Sequence, residues 1–388
     1  MTFLDYNSTT PIDPRVFEAM RPWLTREWGN ASTREYAMGW DAADAVEEAR
    51  RSICQLVGTS NVGLIFNSGA TESLATVIRG FVGYRDWRHC KLVTCKTEHS
   101  AVLEACEQMH RLTQVELCML PVDHNGLCDL EELRSEVMTE NRCLIAVMLA
   151  NNEIGSVAHV EEIGRIARIA GAKFLCDVTQ AVGKMLLDIE RWQVDFVAFS
   201  SHKVYGPKGV GALAVRKGVE FEPLIVGGGQ EQGMRGGTLN VAGIVGFGEA
   251  CRIADAELAD DNQRIWRLRD RLEATLLTEL PDIWINGAGA ERLCNTSNIG
   301  FRGVDARVMI RDMHDIACST KSACSSGDAK TSHVLKAIGL ADDEAYSCIR
   351  FSLGRFTTDM EIDYAVEKII GSVRKLRRIN GSAPTSRD

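Results

Sequence analysis

From Pro14 to about residue 215, short apolar runs alternate with stretches whose apolar residues recur at helical spacing. The runs at 62–66, 91–95, 115–120, 143–150, 173–177, 194–199 and 210–215 predict strands. The stretches 41–56, 70–81, 100–112 and 160–170 predict helices between them. Such alternation implies an α/β domain with a mainly parallel sheet covered on both faces, and a ligand site beyond the carboxyl ends of its strands. A glycine-rich stretch, residues 227–238, then leads into one long predicted helix from about Val241 to Leu280. Beyond it, short strands (295–301, 316–319, 348–353) and helices (305–313, 332–338, 359–377) predict a smaller α+β lobe. The expected division is an N-terminal segment 1–15 packing with the small lobe, a large domain 16–255, a small domain 256–379 and a disordered polar tail 380–388.

Composition narrows the class of function. At 388 residues the chain exceeds one ordinary hydrophobic core, in keeping with two lobes. A net charge of −9 argues against direct binding to nucleic acid or an anionic membrane, since both need a basic face. No apolar run nears the ~18 residues of a membrane span. The first residues carry no charged-then-apolar leader, so no secretion signal is expected. Thirteen scattered cysteines without one C-x-x-C lack the zinc and dithiol signatures, so no metal is expected; their odd number suits a reducing cytoplasm.

Four segments at predicted strand ends carry candidate chemistry. Ser200-Ser201-His202-Lys203 follows an apolar run and places a lysine where it can form a Schiff base with a carbonyl cofactor. Cys176-Asp177-Val178-Thr179-Gln180 ends another; Asp177 suits the pyridine nitrogen of pyridoxal phosphate, and Gln180 its ring oxygen. Asn67-Ser68-Gly69-Ala70-Thr71-Glu72 offers free N–H groups at a helix start as a phosphate cradle. His99, in Thr97-Glu98-His99, can stack on a planar ring. Taken singly, each has a plain reading: a solvated loop lysine, an aspartate cap, an ordinary N-terminal turn, a cap neighbour.

Together, and with Asn151-Asn152-Glu153-Ile154-Gly155, Met234-Arg235-Gly236-Gly237-Thr238, Ser322-Ala323-Cys324-Ser325-Ser326 and Ile349-Arg350-Phe351-Ser352-Leu353-Gly354-Arg355-Phe356-Thr357, they resemble the pyridoxal-phosphate cysteine desulfurases, NifS/IscS-like branch. The resemblance runs in order from Leu4-Asp5 to about residue 375. It implies a fold-type I transferase of the class V aminotransferase family that converts L-cysteine to L-alanine and leaves the sulfur as a persulfide on Cys324. By motif position, Lys203 is the Schiff-base lysine, Asp177 the pyridinium partner and His99 the stacking ring; Asn152 and Gln180 contact the ring and its oxygen. Ala70, Thr71, Ser200 and His202 bind the phosphate, and Thr238 reaches the phosphate of the other subunit of a homodimer. Arg350 clamps the substrate carboxylate, and Asn30 lies in a segment lining the same pocket. The resemblance also implies a sulfur-acceptor protein. The rivals are a selenocysteine lyase or other class V aminotransferase, and a non-catalytic sulfur-carrier or scaffold subunit; Cys324 and Lys203 speak against them.

The sequence departs from that pattern at a few positions. Lys321 and Ser201 stand where glycine is usual, Tyr36 where histidine is, and Thr331 where proline is. None removes a catalytic group, and together they suggest a dedicated accessory desulfurase. The candidate routes are DNA phosphorothioation, whose desulfurases also show Gly-Asn-Ala (here Gly29-Asn30-Ala31), iron–sulfur assembly and tRNA thiolation. Lys321 puts a cation three residues from Cys324, which favours the thiolate. Lys321→Gly is therefore expected to raise the apparent pKa of the Cys324 thiol; an alkylation-versus-pH curve that does not move contradicts this.

Overall fold

The computed structural model describes residues 1–59, 62–84, 87–139, 141–320 and 331–381. Cys324, Lys321 and most of the predicted tail lie outside the described residues. In chain order the elements begin β1 (Thr2–Phe3), α1 (Pro14–Thr25), α2 (Ala37–Leu56), β2 (Val62–Asn67), α3 (Ala70–Gly83), β3 (Cys90–Cys95), α4 (Ser100–Thr113) and β4 (Glu116–Leu120). They continue α5 (Leu130–Val137), β5 (Arg142–Met148), α6 (Val160–Ala170), β6 (Lys173–Asp177), β7 (Phe196–Ser200), β8 (Gly211–Arg216) and α7 (Val241–Glu279). The last are β9 (Ile283–Ile285), β10 (Thr296–Phe301), α8 (Ala306–Asp312), β11 (Ile316–Ala317), α9 (His333–Ala337), α10 (Asp342–Tyr346), β12 (Cys348–Ser352) and α11 (Asp359–Ile379).

Seven strands form one sheet in the order β2-β8-β7-β6-β5-β3-β4. Its pairings from β7 to β4 are parallel, and only β8 runs against its neighbours. Alternation along each strand feeds two cores. In β7, Val197 and Phe199 face the core built with α1, α2, α6 and the start of α7, while Phe196 and Ala198 face the one built with α3 and α4. Strands buried on both faces read as continuous apolar runs, which is why the sequence pattern locates them. The expected α/β architecture with a mostly parallel sheet is found.

Helix α7 links the cores. Ile244, Phe247 and Cys251 pack into the first, and Ile265, Leu268, Leu272 and Leu276 into another beside the antiparallel sheet β12-β10-β9 and helix α11. Residue 255 therefore falls inside a continuous helix rather than in a linker. The N-terminal segment touches both parts: Thr2 pairs with Ile316 and Asp5 bridges to Ser352, whereas Thr10 and Asp13 bond to His202 and Tyr205. Among the described residues, no helix is long and apolar enough to cross a membrane.

Helices α1, α5 and α10 and strands β1 and β9 are not among the predicted elements. Pro22 interrupts the pattern of α1, and strands of two or three residues are too short to show a period. The boundary between parts is held by charge. Arg355, half-buried, bonds Asp13 Oδ2 at 3.0 Å and Asp261 Oδ2 at 2.8 Å, with its guanidinium 4.5 Å from the Tyr205 ring centroid. Hydrogen bonds from Arg15, with help from Arg355, hold the Asp13 carboxyl at about 2. Arg355→Met removes one cation from each carboxylate, leaving Arg15 on Asp13 and Arg264 on Asp261, and is expected to destabilise by ~1.5–3 kcal/mol; a denaturant midpoint equal to wild type contradicts this.

Candidate active site

Five parallel strands end on the same edge, so the turns after β5, β6 and β7 and the start of α3 face one another there. Between them lies a cavity of about 150 Å³. Ten of the thirteen residues singled out from sequence line it: Ala70, Thr71, His99, Asn152 and Asp177, with Gln180, Ser200, His202, Lys203 and Arg350. Asn30 and Thr238 are exposed and do not line it; Asn30 Oδ1 instead accepts from Ser32 N in a local turn. Cys324 lies outside the described residues.

The start of α3 comes close to the ends of β7 and β8. A side chain at Gly211 would place its Cβ 2.4 Å from Gly69 Cα, so glycine at both positions lets the turn approach the sheet. Ala70 N donates to Ser200 Oγ at 2.7 Å, which leaves the remaining N–H groups of the first turn as the anion-binding end of the helix. On the opposite wall, Asp177 ends β6, buried, with Oδ1 accepting from Thr179 N at 2.9 Å. Gln180 gives one amide hydrogen to Asn7 O at 3.0 Å and keeps a second.

Lys203 sits in the short turn after β7, its ammonium donating to Asn7 O and Ser8 O, each at 2.6 Å. His202 is held by Thr9 Oγ1 at Nδ1 (3.0 Å). Burial, reinforced by the charges of Lys203, Lys208 and Lys184, pushes its pKa down to about 4. His99 caps α4, with Nδ1 accepting from Ala101 N at 3.1 Å, so its ring proton is on Nε2. Burial lowers its pKa as well, against the opposing pull of Asp177. Beside it, burial drives the Glu98 carboxyl well above the carboxylate range.

Arg350 enters from the small sheet. It is 1% exposed, donates from Nη1 to Asn152 O at 2.9 Å and from Nη2 to Asp5 Oδ1 at 2.6 Å, and its Nε has no partner. Gln180 Oε1 and Thr179 Oγ1, on residues lining the same cavity, are likewise buried without a partner. Buried polar atoms left unbonded are costly, so three around one cavity mark it as built for a polar occupant. The described residues flanking segment 321–330 are tied to this site. Ser319 and Arg350 exchange backbone hydrogen bonds, Ser332 Oγ donates to Glu153 Oε2, and His333 Nε2 donates to Glu98 O at 2.9 Å.

Sequence reasoning missed Asn7, Ser8 and the hydroxyl of Thr179 as lining groups. A run of polar residues near an N-terminus carries no mark of burial, although Asn7 is 2% exposed. The twelve described cysteines are all free thiols. Burial pushes Cys106, Cys143, Cys318 and Cys348 up to about 12, which disfavours their thiolates.

The model of the family described as Aminotransferase class-V matches residues 2–365. The cysteine desulfurase IscS of Rickettsia rickettsii (strain Iowa) is 41% identical over 380 residues, 97% of this chain and 92% of that protein. The chain belongs to the class V aminotransferase family, in its IscS-like cysteine desulfurase branch. Solved structures agree with that membership. A NifS-like protein superposes with a TM-score of 0.88 at 33% identity, covering 96% of this chain and 99% of that one. The structure titled SspA in complex with cysteine gives a TM-score of 0.80 at 31% identity, covering 92% and 100%.

The depressed imidazole pKa values set a stability trend. Between pH 6.5 and about 4 the unfolded chain takes up a proton at His202 that the folded chain does not, so stability falls as pH is lowered through that window. His202→Gln is expected to flatten the slope of denaturant midpoint against pH there; an unchanged slope contradicts the neutral imidazole.

Proposed function

We propose that the chain acts as a pyridoxal-phosphate-dependent cysteine desulfurase, releasing L-alanine from L-cysteine and leaving the sulfur as a persulfide on Cys324. The observation carrying this reading is the convergence of Lys203, Asp177, His99 and Arg350 on one cavity with unsatisfied buried polar atoms. The residues present fit the cofactor. The first turn of α3 with Thr71, Ser200 and His202 suits a phosphate, Asp177 a protonated pyridine, Gln180 a ring oxygen and His99 the ring face. When bound, the cofactor supplies an electron sink for charge developing at the substrate Cα.

The chain's own groups do the rest. Arg350, buried and with an unused donor, binds the α-carboxylate; a guanidinium is suited to that planar anion. Lys203, once its ammonium gives up a proton, takes the proton from Cα, and its position after β7 keeps it over the cavity. Cys324 attacks the substrate sulfur as a thiolate. The Cβ–S bond breaks as an S–S bond forms; the electron pair left on Cβ takes up a proton from solvent, and Lys203 returns the proton it holds to Cα, giving alanine. His99, neutral through burial and with Nδ1 occupied by Ala101 N, offers its Nε2–H as a hydrogen bond and keeps the proton.

Thr238, exposed and away from this cavity, acts in this reading at a homodimer interface, reaching the phosphate in the partner's site. A reducing cytoplasm suits twelve free thiols. The persulfide passes to an acceptor protein serving DNA phosphorothioation, iron–sulfur assembly or tRNA thiolation; the Gly29-Asn30-Ala31 sequence supports the first. The test is alanine production from cysteine. Cys324→Ser and Lys203→Ala are each expected to lower it by about 10³-fold or more, with Lys203→Ala also losing the yellow colour of the purified protein. Alanine formation at wild-type rate in Cys324→Ser overturns the reading.

A further inference from the structure

Arg350 and Asp5 are 345 residues apart in sequence and form an ion pair at 2.6 Å, with side chains 1% and 18% exposed. Arg350 lines the cavity, and Asp5 does not. The carboxylate therefore grips Nη2 from outside the cavity. Its own backbone is fixed on both sides: Ser352 N donates to Leu4 O at 2.8 Å, and Tyr6 N donates to Ser352 O at 3.1 Å. Ser8 closes the turn, its N and Oγ donating to Asp5 O at 3.0 and 2.7 Å. Asn152 O holds Nη1 at 2.9 Å, so the guanidinium is held at two of its nitrogens while Nε keeps an unpaired donor.

We propose that Asp5 is a positioning residue for substrate recognition: it fixes the plane of the Arg350 guanidinium so that the remaining donors meet the α-carboxylate of an amino acid. The inference rests on Arg350 as the carboxylate-binding residue. An arginine that is free to rotate presents its fork in many orientations, and one locked by a charge-assisted bond presents it in one. Preorganisation of this kind tightens binding of ligands that use the fork and leaves other ligands alone.

The test compares two ligands that differ only in the carboxylate, L-alanine and L-alaninamide, titrated calorimetrically into the pyridoxal-phosphate-loaded protein. Asp5→Ala is expected to weaken L-alanine about tenfold and L-alaninamide by less than about twofold. The KM for L-cysteine rises in the same proportion while kcat changes less. Asp5→Asn keeps an acceptor oxygen without the charge and is expected to fall between wild type and Asp5→Ala; it carries the test alone if Asp5→Ala does not fold. Equal weakening of both ligands, or of neither, overturns the role of Asp5. Arg350→Lys serves as the separate check: if it also fails to discriminate the two ligands, the carboxylate-binding role of Arg350 is wrong, whereas selective loss there without selective loss at Asp5 removes only the present inference.

Discussion

The N-terminal segment from Leu4 to Asp13 is the constraint on which the site depends, because it joins two hydrophobic cores across the cavity. Leu4 is fully buried in the small-sheet core, and Asp5 bridges to β12. Asn7 alone accounts for much of the junction. Its side-chain amide donates to Asn152 O and Thr296 Oγ1, its Oδ1 accepts from Asn295, and its carbonyl accepts from both Gln180 and Lys203. Thr10 and Asp13 continue the seam to His202, Tyr205 and Arg355. A buried polar segment is stable only when its groups are paired, and pairing them requires both cores to be in place. The cavity is thus lined from the large sheet, from the N-terminal segment and, through Arg350, from the small sheet.

That seam also shapes the electrostatics. The site gathers Lys203, Arg350 and Asp177 in partly dry surroundings, while burial keeps the imidazoles of His99 and His202 neutral. A neutral His202 beside Thr9 can donate or accept one hydrogen bond without adding to the local positive charge. Burial drives the Glu98 carboxyl well above the carboxylate range, and Asp177 is the carboxyl that lines the cavity itself.

Much of the large sheet was legible because its strands are buried on both faces and its crossovers are amphipathic helices. Periodicity reports both features locally. The cofactor-type motifs were legible for a related reason: Asp177, Lys203 and Ala70 sit directly at element ends, where sequence position and spatial position coincide. Tyr205, at φ 66°, and Glu231, at φ 46°, gave no such notice, since a left-handed backbone at a non-glycine residue follows from its surroundings. The reversed direction of β8 was equally hidden, because an apolar run looks the same read either way along the sheet.

The sequence by itself determined the alternation of strands and helices, the placement of reactive side chains at strand ends and membership of a chemical family. These are local properties, carried by residues within a few positions of one another. Only the tertiary structure decided that a polar N-terminal run is buried, that Asp5 lies behind Arg350, and that residue 255 sits within an unbroken helix serving two cores. Those facts depend on which distant segments share a surface. Hydrogen-bond satisfaction across that surface, unlike amphipathic period, leaves no trace in either segment read alone.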